Sequence, residues 1–250
     1  LDVILGNVDF FEIANSHRVK TDLWYELLNC GFITPPMAGT DLPNFAYRDP
    51  WQPLFGEIRT YVRMPGVHSF SEWKRSLASG QVFITSGPLV KFSINGAEAG
   101  QTVFLPEHGG EIRVVGELAS PRELQSLEVM RMGKVFPLET KRTHEDEIHR
   151  ILVDQKITIK ESCWLALRGS GVKKTALEEG LGTPQSTFAH SGIIQVVVGN
   201  SPIRSERAVE AMRTRMKEQR HFYETKAEFA HDKDRAIFSS LFAKALRLLE

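Results

Sequence analysis

A chain of 250 residues with 42% hydrophobic and 25% charged side chains has the composition of a folded globular protein, which excludes a disordered tail. Lys+Arg 31 against Asp+Glu 31 leaves a formal charge of zero, so no whole-molecule field draws in a polyanion, and nucleic acid or an anionic membrane surface is a poor partner. Cys30 and Cys163 are too few and too far apart for a disulfide framework or a four-thiolate zinc site and read as buried free thiols, while no uncharged apolar run approaches the roughly 18 residues of a membrane span.

The opening Leu1-Asp2-Val3-Ile4-Leu5 has no Met and no basic segment ahead of an apolar one, and it reads as beginning in mid-fold. The compartment therefore stays open between a bacterial cytoplasm and a secreted or periplasmic setting. Val8 to Ala14 is a short apolar run with acidic residues toward its ends, the pattern of a buried strand that delivers a polar side chain at its C-terminal edge. A helix follows, with Asp22 as the expected N-cap, Leu23, Trp24, Leu27 and Leu28 on one stripe, and Gly31 closing it. Phe32 to Ala38 is extended because Pro35 and Pro36 forbid helix, and it runs into Gly39-Thr40-Asp41. Strand, helix, strand and an aspartate-led loop form the βαβ pattern of a parallel sheet.

Ile58 to Met64 alternates as a further strand. Ser69 and Glu72 make a capping box for a helix that carries Phe70, Trp73 and Leu77 and ends at Gly80; Gln81 to Thr85 is another short strand. From Leu89 only β patterns remain. Val90, Phe92 and Ile94 alternate up to the hairpin turn Asn95-Gly96, and Thr102 to Leu105, Ile112 to Val115, Leu124 to Met130, Ile151 to Ile159, Cys163 to Leu167 and Ile193 to Val198 follow between turn signals, which reads as a sandwich. After Ser201-Pro202, a cap with proline at the first helical position, Val209, Met212, Met216 and Tyr223 line one helix and Ile237, Leu241, Ala245 and Leu248 a second, giving a helical hairpin.

Asp41 is the residue best placed for chemistry, because an aspartate just past the C-terminal end of a parallel strand stands where α/β and β/α-barrel folds put active-site groups. The bland alternative is an Asx-turn or a helix cap. Glu12 and Asn15 end the neighbouring strand and are candidates to hold substrate or orient a ligand; Arg59 and Arg63 are candidates to clamp an anionic leaving group. The competing reading makes all four strand-end or solvated-face polar groups.

Val8 to Asn15, then Tyr25-Glu26-Leu27-Leu28-Asn29-Cys30-Gly31-Phe32 with Pro36 to Asp41, resemble in order and spacing the C-terminal part of PHP-type metal-dependent hydrolases of the CehA/McbA kind. Tyr61-Val62-Arg63, Ser71-Glu72-Trp73, Val82 to Pro88, and Ile94-Asn95-Gly96 with Gly100 extend the resemblance over nearly the whole chain, and Ala38 to Asp41 with Val82 to Pro88 are its most specific blocks. The resemblance implies a β/α barrel whose strand ends hold divalent metals, Zn, Mn or Fe, that activate water against phosphoester, amide or carbamate bonds. It implies Asp41 as a metal ligand. Imidazole and carboxylate suit those metals, and paired ions bind attacking and leaving oxygens together. The chain departs from the family in having only His17 before Asp41, in lacking any His-x-His, and in placing Pro43 where the family has a histidine two residues after the aspartate.

The expected architecture is thus the C-terminal portion of a PHP-type β/α barrel over 1–88, a β-sandwich over 89–200 and a C-terminal helical hairpin over 201–250. The expected function is that of a C-terminal fragment of a metal-dependent hydrolase for a small ester, phosphoester or amide, inactive alone and holding no metal alone. The alternative is a non-catalytic module whose sandwich loops hold a saccharide or protein partner. An incomplete barrel exposes strand edges, so a homo-oligomer, or a form in which the hairpin covers the exposed face, is expected. The remaining constellations are weaker. In His144-Glu145-Asp146-Glu147-Ile148-His149 the histidines are five apart, not the four of a zincin helix, which reads as a charged hairpin loop; the stretch Gly169 to Thr175 lacks P-loop spacing; His190 reads as a hydrogen-bonded structural residue.

Overall fold

Apolar alternation after residue 88 builds long antiparallel ladders, and the earlier, shorter elements pack against one face of them. A computed structural model of the chain describes residues 1–15, 18–41, 55–64, 66, 68–173 and 186–250. The first elements are α1 (Asp2–Leu5), β1 (Phe11–Asn15), β2 (Arg18–Val19), α2 (Asp22–Asn29), β3 (Pro36–Gly39), β4 (Arg59–Val62), α3 (Phe70–Ala78) and β5 (Val82–Thr85). Strands β6 (Leu89–Ile94), β7 (Ala97–Glu98), β8 (Thr102–Leu105), β9 (Gly110–Ser120), β10 (Leu124–Arg131), β11 (Lys134–Phe136) and β12 (Lys141–Glu145) follow. The chain continues through β13 (Ile148–Ile159), β14 (Cys163–Lys173), β15 (Ser186–Ser191) and β16 (Ile194–Val198) to helices α4 (Glu206–Thr225) and α5 (Asp232–Leu248).

An antiparallel sheet in the order β12-β13-β9-β6-β7 shares one apolar core with a mixed sheet in the order β11-β10-β14-β15-β5-β4, to which β16 is added on β14 and β8 on β16. The β9–β13 ladder runs without a shift from Gly110 opposite Ile159 to Ser120 opposite His149. Period-2 alternation then sends Ile112, Val114 and Leu118 into the core with Val90, Phe92 and Ile94 of β6, against Val129, Leu165, Leu167 and Val196 of the mixed sheet. Gly116 occupies the same inward file. A Cβ there would lie 2.8 Å from Leu167 Cδ2 and Val153 Cγ1, so the two sheets approach as closely as they do only because this position lacks one.

Strand β14, in the middle of the mixed sheet, is buried on both faces. In β14 the consecutive residues Cys163, Trp164, Leu165, Ala166 and Leu167 are all buried, which is why this strand reads as an unbroken apolar run rather than an alternation. Leu165 and Leu167 face the antiparallel sheet; Trp164 and Ala166 face a second cluster with Ile13, Ala14, Trp24, Tyr25, Leu28, Ala38 and Met130. A third cluster joins α1, α2, α4 and α5 through Ile4, Leu27, Cys30, Val209, Met212, Met216, Phe242 and Ala245.

The β/α barrel expected over 1–88 is not formed. The βαβ unit exists, with β1 and β3 parallel, but antiparallel β2 closes the other side of β1 in a three-stranded sheet ordered β2-β1-β3. Strand β4 pairs antiparallel with β5, and β5 continues into β15 of the mixed sheet. A barrel requires each parallel strand to hand its hydrogen bonds to the next until the ring closes. Here β3 meets β4 through the Thr60 hydroxyl, which accepts from Ala38 N at 2.9 Å and donates to Ala38 O at 2.9 Å, so the sheets stay open.

Local signals place both ends of α3 and the C-terminal end of α2. Ser69 accepts from Glu72 N at 3.1 Å as the N-cap of α3, and Gly31 follows α2 at φ 90. Two starts differ: α2 takes Thr21, not Asp22, at its N-cap position, and α4 begins four residues beyond Ser201-Pro202, with Ser205 accepting from Ala208 N. The buried Ile203 explains the delay, since it anchors the connecting segment in the Trp24–Trp164 cluster before the helix departs.

Candidate functional site

At the C-terminal edge of the β1/β3 pair, Glu12 is in register with Met37 and Asn15 with Gly39, and the register shifts between Glu12 and Ala14. In a regular strand residues three apart point to opposite faces. The inserted residue here buries Ile13 and Ala14 in succession and turns Glu12 and Asn15 to one side, where Asn15 Nδ2 donates to Glu12 Oε2 at 2.9 Å. The carboxylate lies over Gly39, whose Cβ would stand 3.9 Å from Glu12 Oε1.

Asp41 follows two residues past β3 with a left-handed backbone, φ 52, a conformation that aspartate tolerates better than most residues. The preceding Thr40 fixes the exit of the strand, since its hydroxyl donates to Ile58 O at 3.1 Å and accepts from Gly56 N at 3.2 Å. Of the residues singled out in the sequence, the structure thus bonds Glu12 to Asn15 and sets Asp41 on the turn leaving the adjoining strand. Arg59 is elsewhere engaged, its guanidinium 5.8 Å above the Tyr61 ring, while Arg63 pairs with Glu98. His17, Pro43 and Lys174-Thr175 lie outside the described residues.

A cleft of about 590 Å³ opens where β4 and β5 part from β6 and β9. Tyr61 and Phe83 stack on one wall, ring centroids 4.7 Å apart and planes 5° apart, and Val62, Val90, Phe92 and Val115 continue the apolar lining. Its rim is charged: Lys91 pairs with Glu117 at 3.4 Å and Arg63 with Glu98. Sequence reading did not find this cleft, because its walls come from strands of two different sheets and no local pattern joins them.

His190 is buried in the aromatic cluster between α2 and the mixed sheet, its ring 5.4 Å from that of Trp24. Its Nδ1 lies 2.7 Å from Ser191 O, which fixes the proton there, so Nε2 accepts from the Tyr25 hydroxyl at 2.6 Å. Burial pushes the imidazole down to about 4 and raises the Tyr25 phenol, so both stay neutral. Arg168, held by Glu128 at 2.6 Å, also reaches the Tyr25 hydroxyl. This is a closed structural network. Cys30 and Cys163 are both buried free thiols, with Cys30 pushed up to about 11 by burial and Cys163 raised for the same reason, which makes neither a nucleophile.

Among the described residues no group of three or more His, Cys, Asp or Glu is gathered to hold a metal ion, and no helix is long and apolar enough to cross a membrane. Comparison with protein-family models and with curated proteins gave no match to this chain.

Proposed function

We propose that this chain supplies the carboxylate part of a metal-dependent hydrolytic site acting on a small ester, phosphoester or amide, and that it does not turn over substrate by itself. The observation that carries this reading is the strand irregularity that aims Glu12 and Asn15 together beside Gly39, next to the turn bearing Asp41. The resemblance of Ala38 to Asp41 to a hydrolase metal-ligand block supports it. The described residues do not by themselves fit a resident Zn, Mn or Fe ion: they offer hard carboxylate oxygens here, with no imidazole beside them. Asn15 holds the Glu12 carboxylate in one orientation, and that is the positioning this chain contributes.

The test compares this chain with the full-length product of its reading frame. The chain alone is expected to carry substoichiometric metal and to leave bis(p-nitrophenyl) phosphate and p-nitrophenyl acetate intact; the full-length product is expected to bind metal and hydrolyse at least one of them. Phe10, Val19, Leu23 and Ile33, all within the first 33 residues, leave large apolar side chains partly exposed, and we infer that a second copy covers them, which sedimentation would detect as a homo-oligomer.

The cleft favours a second reading. A stacked aromatic wall edged by Lys91, Glu98 and Glu117 suits a ligand with one apolar face and a hydroxylated rim, the character of a saccharide. Saturable saccharide binding by this chain, lost in Tyr61→Ala, would make it a binding module.

A further inference from the structure

We propose that His144 and His149 form a two-ligand site for one divalent transition-metal ion of the zinc, nickel and copper class, at the end of the space between the two facing sheets. On a helix, residues five apart face different directions. The β12–β13 hairpin changes that geometry. Asp146 and Glu147, at φ 51 and φ 60, make a two-residue turn of the left-handed kind, so Glu145 pairs with Ile148 and His144 stands directly opposite His149. The spacing that argues against a helical metal motif is the spacing that makes these two residues cross-strand neighbours.

The rings lie parallel, centroids 4.0 Å apart and planes 4° apart. Among the described residues neither imidazole is engaged in a hydrogen bond or ion pair. Both belong to the inward face of the antiparallel sheet, because His149 is two residues from the buried Ile151 on the same strand and in register with the buried Ser120 of β9. Beyond the last apolar layer they line a concavity of about 270 Å³ together with Glu123, Arg142 and Arg150. Each of the two guanidinium groups is tied to another partner: Arg142 donates to Leu124 O at 2.8 Å and Gln125 O at 2.5 Å, and Arg150 to Glu117 at 3.2 Å. Glu123 supplies a carboxylate on the wall of the same concavity.

An ion bound at the roughly 2.0–2.1 Å of a metal–imidazole bond needs two nitrogens about 3 Å apart, which cross-strand partners with Cβ atoms about 5 Å apart reach by rotating the side chains from parallel to convergent. Neutral imidazole selects zinc, nickel or copper over magnesium or calcium. With two protein ligands and solvent in the other positions, the site is open and exchangeable rather than a closed structural centre. It lies on the sheet opposite to the Glu12–Asn15 edge in the layer order and stands independently of the function proposed there.

Calorimetric titration of the intact chain with Zn²⁺ and with Ni²⁺ tests the site, with ¹H–¹⁵N spectra recorded at substoichiometric Cu²⁺. The expected result is a saturable site with one ion per chain, no heat with Mg²⁺, and broadening centred on His144 and His149. Because the second imidazole binds intramolecularly once the first is engaged, His144→Ala and His149→Ala should each weaken binding by about tenfold or more, with His221→Ala as an unchanged control. Thermal melting confirms that the variants fold, and His149→Gln serves if the alanine variant does not. Unchanged affinity in both variants, absence of saturable binding, or broadening centred on other histidines overturns the proposal.

Discussion

The paired-sheet core and the edge that carries Glu12 and Asn15 solve the same problem of joining strands in opposite ways. In the core, β9 and β13 align without a shift from Gly110 to Ser120, and Ile112, Val114, Leu118, Ile151, Val153 and Ile159 share one apolar layer with the facing sheet. At the edge, two short parallel strands carry a register shift, and β3 is joined to β4 by one threonine hydroxyl. Regular pairing maximises burial, and a shifted strand gives up part of it to re-aim polar side chains. The core therefore holds most of the stability, while the edge is arranged around what it presents.

The comparison sharpens if substitutions in the two regions differ in kind. Leu118→Ala, at a fully buried position on β9, should cost about 2–5 kcal/mol in denaturant unfolding. A loss below about 1 kcal/mol there would deny the core its role.

The layer between core and edge should report through pH. The folded-state value of His190, about 4, lies below the ordinary 6.5, so the fold favours the neutral imidazole; its contribution is fully present above pH 6.5 and drains as pH falls toward 4. That amounts to about 3 kcal/mol across the window, by the ordinary worth of a pKa unit. Melting temperatures from pH 7 to 4.5 check it, and His190→Gln, although less stable throughout, should flatten the slope over that range.

Thr60→Val removes both hydrogen bonds that join β3 to β4, and about 1–2 kcal/mol of stability should go with them, together with faster hydrogen exchange at the Ala38 amide. Asp41→Asn should have the smallest effect on folding, at most about 1 kcal/mol, because the amide keeps a turn-forming oxygen. Under the hydrolytic function proposed above, the same change in the full-length product should lower metal occupancy and turnover by several orders of magnitude. Wild-type metal content and rate in Asp41→Asn would remove Asp41 from the site and dissolve the contrast between the two regions.

Local physics was legible in the sequence wherever a few neighbouring residues decide the outcome. The Ser69 N-cap of α3, the positive φ of Gly31 and the Asn95-Gly96 turn follow from backbone requirements that only such residues meet cheaply, whereas the Glu72 carboxylate of the expected capping box turns to Arg75 instead. The apolar run Cys163 to Leu167 marked a strand, though not that it is buried on both faces. Strands β11, β12 and β15 went unread, since their short or polar segments acquire strand geometry from their partners rather than from propensity.

The sequence by itself determined the tight turns, the ends of α3 and the alternation of the long strands, because each depends on contacts a few residues apart; it did not fix the starts of α2 and α4 or the buried helix faces, where Leu23, Ile237 and Leu248 of the expected stripes stay exposed. Tertiary structure alone decided which strand adopted which neighbour. The βαβ pattern of β1, α2 and β3 is compatible with a barrel or an open sheet, and the choice fell to β5, whose long-range pairing with β15 drew β4 into the mixed sheet and left β3 only a side-chain link to it. The same holds for both sites: Glu12 meets Asn15 because of a register shift, and His144 meets His149 because a two-residue turn brings the strands face to face. Register belongs to the pair of strands and is written in neither alone.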